Sequence, residues 1–183
     1  MIPSRRECLE LMQRYEMLPH IVRHSKLVTD VALLIARKLN SRGAHLDLAL
    51  VEAGALLHDI TKTVCIKTKE NHAQTGGELL TSLGYPAVAN IVRQHIRLDP
   101  GTHDPRAVNE AELVNYADKR VKHEEVVDIG ERFRDVLERY AKKLPGLQPR
   151  LEEVYRETQR LEQKIFSKID ITPQKIEETL VHP

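Results

Sequence analysis

Apolar residues recur every three or four positions along nearly the whole chain, and strand-like alternation bounded by turn residues is scarce. That period predicts an all-α fold. A first helix is expected after Ser4 and a second after Pro19, where Ile21, Leu27, Val28, Val31, Leu34 and Ile35 form one stripe before residues 40–43 break it. Asp47 caps a third helix that carries Leu48, Val51, Ala55 and Leu56 to about His58, and a short loop with Thr61, Lys62 and Thr63 is expected next. Two helices follow, one over about 71–83 closed by Gly84, the other from Pro86 to about His95. Residues 97–106, with two prolines, a glycine and two aspartates, read as a loop.

A sixth helix covers about 109–119, and a long amphipathic one is expected to hold Val126, Val127, Ile129, Phe133, Val136, Leu137 and Tyr140. Pro145 and Gly146 make a break over 143–149. Leu151, Val154, Tyr155, Leu161 and Ile165 then predict another helix, and Thr172 with Pro173 starts a last short one. The organisation expected is one domain over residues 1–143 and a C-terminal helical extension over 144–183, whose apolar spacing suggests assembly into a homodimer.

Composition narrows the class. A chain of 183 residues suits one compact domain, and 41% hydrophobic with 30% charged residues argues against disorder. The formal charge of +1 advertises no nucleic-acid or membrane partner. Cys8 and Cys65 carry no spacing motif, and no apolar run resembles a signal peptide or a membrane span, so a cytoplasmic protein is expected. The unusual feature is nine histidines beside two phenylalanines and no tryptophan.

Several of those histidines stand in the apolar pattern. His24 is in register with Val28, Val31 and Ile35, at offsets of four, seven and eleven, which places it on the core face of its helix. His58 and Asp59 end the apolar run ALLHDI. An HD pair alone reads as a helix C-terminus whose histidine complements the dipole. Asp118, in VNYAD, lies four and five residues from Val114 and Leu113, and a buried carboxylate there needs a cation. His72 and His95 stand twelve residues before Gly84 and nine after Pro86, so an antiparallel helix pair brings them to the same end. Four imidazoles and two carboxylates can thus converge on one cavity, a donor set suited to borderline transition metals.

These residues resemble the HD-domain metal-dependent phosphohydrolases, whose pattern is H…HD…D along a helical bundle. The matching stretches are RHSKLVTDVALLIA around His24, GALLHDITK around His58 and Asp59, and LVNYADK around Asp118. ADKRVKHEEVVDIGERFRDVLERY is similar to small stand-alone proteins of the HDIG subgroup, although Thr61 stands where that subgroup has glycine. HAQTGGELLTSLGYP at His72 and IVRQHIRLD at His95 resemble the subset that adds two histidines and can hold a second metal. No GYP segment stands where the cyclic-dinucleotide phosphodiesterases carry it.

The resemblance implies hydrolysis of a phosphomonoester, phosphodiester or phosphoanhydride bond of a small nucleotide-like substrate by a metal-activated water. His24, His58, Asp59 and Asp118 would hold a first divalent ion, and His72 and His95 a second, bridged by Asp59. Fe, Mn, Co and Zn all suit the mixed N and O donors. Lys62 is placed to meet a substrate phosphate, beside Asp59 in the catalytic group, with Arg23 and Arg97 as further phosphate contacts; Lys119 is expected at the surface. His20, one turn before His24, is expected to face solvent, with a supporting role beside His24 as the alternative. The alternative is a non-catalytic module that keeps the fold for nucleotide binding or signalling, a reading that lost ligands would favour; all six are present.

Overall fold

A computed structural model describes residues 1–101, 104–140 and 146–181. Its helices are α1 (Arg5–Arg14), α2 (Pro19–Ser41), α3 (Leu48–Leu57), α4 (Lys62–Thr68), α5 (His72–Ser82), α6 (Pro86–Gln94), α7 (Glu110–Lys119), α8 (Ile129–Tyr140), α9 (Leu147–Phe166) and α10 (Ile176–Val181). The one sheet among the described residues pairs β1 (Val121–Lys122) with β2 (Glu125–Val126). The fold is all-α, as the apolar period predicts.

Polar caps set most helix starts. Ser4 and Glu7 form a capping box on α1, Asn109 and Glu112 another on α7, and the side chains of Asp47 and Asn71 accept from the first free N–H groups of α3 and α5. Pro19 and Pro86 open α2 and α6, where a missing N–H costs nothing. Gly84, at φ 86°, turns the chain between α5 and α6.

α3, with the sequence LALVEAGALL, is apolar nearly all round and is therefore the central helix. Val51 and Ala55 join one buried cluster with Val28, Val31, Ile35, Ile91, Leu113 and Tyr116; Ala53, Leu56 and Leu57 join a second with Cys8, Met12, Ile21, Leu80 and Val92. Gly54 lets α6 approach, since a Cβ there would sit 2.7 Å from Cγ2 of Ile91. The polar pair that ends α3 is thereby carried into the middle of the molecule.

Three local expectations are corrected. The loop expected at Thr61, Lys62 and Thr63 is a turn only as far as Thr61, because α4 begins at Lys62, buries Cys65 and ends on Lys69 in the left-handed region at φ 65°. Its β-branched residues and exposed Val64 and Ile66 hide any helical face in the sequence. Val126 and Val127 are not helical: Val126 lies in β2, the Val127 N–H donates to the Arg120 carbonyl at 2.8 Å, and α8 starts at Ile129. The break expected to last to Pro149 ends at Gly146, since a proline is tolerated in the first turn of α9.

The expected boundary at 143/144 falls outside the described residues. Leu161, Ile165 and Ile176 belong to the same buried cluster as α2, α3 and α7. The nearly buried Arg120 guanidinium donates to the Tyr116 hydroxyl, the Val127 carbonyl and the Pro173 carbonyl, and Lys164 pairs with Glu112 at 2.6 Å. The helices after Gly146 thus cover the outer side of α7. No helix among the described residues is long and apolar enough to cross a membrane.

Candidate metal centre

Five helices deliver six side chains to one point. His24 comes from the buried face of α2, His58 caps α3 with Asp59 next to it, His72 is the first residue of α5, His95 caps α6, and Asp118 lies in the last turn of α7. All six expected ligands are brought together, and they sort into two groups: His24, His58 and Asp118, and Asp59, His72 and His95. Within each group the donor atoms lie within 4.8 Å of one another.

The hydrogen bonds fix the tautomers. A backbone carbonyl can only accept, so a ring nitrogen bonded to one carries the proton. Nδ1 of His24 donates to the His123 carbonyl at 3.0 Å, Nδ1 of His58 to the Ala55 carbonyl at 2.8 Å, and Nδ1 of His95 to the Val92 carbonyl at 2.7 Å. Each ring therefore turns Nε2 inward, and there the partners are acceptors too. His24 Nε2 is 3.0 Å from Oδ1 of Asp118; His58 Nε2 is 3.3 Å from Oδ2 of Asp59 and 3.5 Å from Oδ1 of Asp118; His95 Nε2 is 3.6 Å from Oδ1 of Asp59. His58 Nε2 and Asp59 Oδ1 are buried with no hydrogen-bond partner. Convergent lone pairs of this kind are reconciled by cations, either protons or metal ions.

The electrostatics agree. Burial opposes charge on His58, but the carboxylates of Asp59 and Asp118 outweigh it and raise the ring to about 10. Burial and the neighbouring His58 charge press His95 down to about 3. Burial also works against ionised Asp59 and Asp118, yet His58 with Lys62 around the first, and His24 with His58 around the second, hold both well below the usual carboxylate range. Both carboxylates are therefore anionic and ready to bind a cation.

Lys62 is half-buried, and its Nζ donates to Oδ2 of Asp59 at 2.7 Å. It thus stands at the edge of the centre. Burial disfavours its ammonium, and the two aspartates more than restore it. Arg23 and Arg97 have their charges matched by carboxylates, Arg23 by Glu124 at 2.7 Å and Arg97 by Glu153 at 2.9 Å. His20 is exposed.

Two supports escape the sequence reading. Lys119, expected at the surface, is buried, and burial lowers its ammonium to about 8. Its Nζ donates to the carbonyls of His95 and Asn115 and to the Asn115 side chain, while Asn115 donates to the carbonyls of Gln94 and His95. This network ties the end of α6 to α7, and the four-residue spacing of Asn115 and Lys119 was its only trace in the sequence. The second support is the backbone carbonyl of His123, which no side-chain pattern could announce. Thr61 has a positive role as well: its hydroxyl donates to the His72 carbonyl at 2.9 Å and meets the Thr75 hydroxyl, joining the start of α4 to that of α5.

Comparison with known proteins places the centre in context. A tRNA (cytidine(56)-2'-O)-methyltransferase of Thermoplasma volcanium is 33% identical over 161 residues, covering 77% of this chain and 46% of that protein. A ribonuclease Y of Treponema pallidum is 30% identical over 131 residues, covering 70% of this chain and 23% of that protein. The chain thus matches less than half the length of these relatives. An uncharacterised protein of Methanocaldococcus jannaschii is 26% identical over 148 residues, covering 74% of this chain and 83% of its own length. No solved structure matches significantly. The HD domain model matches residues 21–172, a span that holds all six converging side chains, and the chain belongs to the HD-domain family.

Proposed function

We propose that the protein is a metal-dependent phosphohydrolase acting on the phosphate ester or anhydride of a nucleotide-like substrate. The observation that carries this is the convergence of inward-facing Nε2 atoms on the oxygens of Asp59 and Asp118, with the outer nitrogens of His24, His58 and His95 committed to carbonyls. His24, His58 and Asp118 would hold one divalent ion, Asp59, His72 and His95 a second, with Asp59 close enough to His58 to serve both. Ions bound there supply Lewis acidity toward a phosphate oxygen and lower the pKa of water into the neutral range.

The chain's own residues do the remaining work. Lys62, on the rim beside Asp59, meets the substrate phosphate as a point charge. The α6 to α7 network of Lys119 and Asn115 holds His95 in place, and the burial of His58 and Asp59 keeps bulk water away from the inner wall. Two relatives are named for reactions on RNA, which supports including ribonucleotide phosphodiesters among the nucleotide-like substrates expected from the sequence. Metal analysis of untagged protein, followed by phosphate-release and short-oligoribonucleotide cleavage assays with Mn, Fe(II), Co and Mg, tests the proposal. Bound metal and metal-dependent hydrolysis are expected; a protein that neither retains nor binds these ions refutes it.

A further inference from the structure

We propose that the two-residue turn of His123 and Glu124 is the positioning device for His24, holding its ring in the tautomer that turns Nε2 toward the metal centre. The inference rests on the reading of His24 as a ligand.

Lys122 pairs with Glu125 in the hairpin, which leaves only His123 and Glu124 to make the turn. Tight turns of this kind require a positive φ at a central position, where glycine is favoured. Here His123 takes it, at φ 55°. Its side chain is exposed, so packing of the ring does not explain the strained backbone. The part of His123 that faces inward is its carbonyl, which accepts from Nδ1 of His24 at 3.0 Å.

The turn is anchored on the same helix it serves. Glu124 Oε2 accepts from Nε of Arg23, the residue before His24, at 2.7 Å. Below the turn, Lys122 pairs with Glu131, and the hairpin base is closed by two bonds between Arg120 and Val127, from the Val127 N–H at 2.8 Å and from Arg120 Nε at 2.6 Å. Val121 is fully buried. A left-handed residue, an ion pair and a fixed base thus aim one carbonyl at one imidazole. Partners of this kind set the orientation and basicity of a ligating histidine. Arg23 then acts through the turn, with its guanidinium on Glu124 instead of a phosphate.

Two substitutions at His123 separate the backbone from the side chain. Glycine adopts φ 55° freely, whereas proline is locked near −65° and must swing the carbonyl away, and neither touches the core. Co²⁺ titration followed by visible absorption, and long-range ¹H–¹⁵N spectra of the metal-free protein, read the outcome. His123→Gly is expected to keep wild-type Co²⁺ affinity and an Nδ1-protonated His24, with a higher melting temperature. His123→Pro should weaken Co²⁺ binding by about ten- to a hundredfold and lose that tautomer while keeping its helix content. Glu124→Ala should weaken binding by roughly two- to fivefold, as expected for an exposed pair, and the swap of Arg23→Glu with Glu124→Arg should restore it. A folded His123→Pro variant with wild-type affinity and tautomer overturns the proposal, and if that variant does not fold, an unchanged spectrum and affinity in Glu124→Ala does so. Wild-type protein that binds no Co²⁺ defeats the metal reading instead, and the tautomer spectrum still decides the role of the turn.

Discussion

Nε2 of His72 and Nε2 of His95 stand 3.2 Å apart, at the meeting point of the first residue of α5 and the cap of α6. His95 carries its ring proton on Nδ1, which donates to the Val92 carbonyl, so its Nε2 is a lone pair, and His72 Nε2 is also 3.2 Å from Oδ1 of Asp59. Without a metal, His72 Nε2 can place at most one proton between that lone pair and the carboxylate oxygen. With one, both rings and the carboxylate can point at the same ion, an arrangement His24, His58 and Asp118 repeat alongside.

Metal stoichiometry follows from this division. The double variant His72→Ala, His95→Ala should lose one equivalent of bound metal and retain the other, as measured by metal analysis after titration. Asp59→Ala should lose hydrolysis and the same equivalent while circular dichroism shows unchanged helix content. Unaltered stoichiometry in the double variant would mean that these histidines serve a single ion from outside its ligand set.

Lys62 offers a separate test of the substrate side. Its ammonium lies on Asp59 at 2.7 Å but belongs to neither ligand group, so Lys62→Met should leave metal content intact. Loss of a charge-assisted contact to phosphate costs about 1.5–3 kcal/mol, roughly ten- to a hundredfold in kcat/KM. Steady-state kinetics on the metal-loaded variant check this, and Lys62→Arg should recover part of the loss. A kcat/KM equal to wild type would remove Lys62 from the site.

The close approach of α3 and α6 makes a stability prediction. Gly54→Ala puts a Cβ 2.7 Å from Cγ2 of Ile91, both inside the core, and overpacking of that kind costs about 1–3 kcal/mol. These helices end on His58 and His95, whose ring centroids are 5.0 Å apart, so metal affinity should fall with stability. Thermal melts of Gly54→Ala, Ile91→Ala and the double variant form the check. The double variant should lose less stability than the two single losses added together.

Much of this architecture was legible because it depends on local or periodic signals. His24 announces itself by its register with Val28, Val31 and Ile35, and the caps at Ser4, Asp47, Asn71 and Asn109 by hydrogen bonds made within a few residues. His72 and His95 could be brought together because Gly84 marks the turn between their helices. What escaped depends on tertiary environment. Nothing in the sequence VKHEEV marks a hairpin, since the glycine such a turn favours is absent. Lys119 looks like a surface charge until the carbonyl ends of α6 are packed over it, and the pairing of Arg23 with Glu124, 101 residues away, has no local signal. Carbonyl acceptors such as that of His123 have no side-chain signature at all.

The protonation of His58 gives the centre a pH signature. In the metal-free protein Asp59 and Asp118 raise this ring to about 10 from an ordinary 6.5, so it is charged at neutral pH, and a cation can take Nε2 only after that proton has left. Metal binding to His24, His58 and Asp118 should therefore release about one proton at pH 7, with affinity rising about tenfold per pH unit until pH nears 10. His95, already neutral because burial holds it near 3, adds no proton release of its own. The same shift governs the metal-free fold. A raised folded pKa gives stability that is fully present below 6.5 and lost as pH climbs through about 10, so the melting temperature should fall over that window in wild type and fall less in His58→Gln. Calorimetric titration in buffers of different ionisation enthalpy counts the protons directly. Metal binding at pH 7 with no proton released would show that His58 is neutral before the ion arrives.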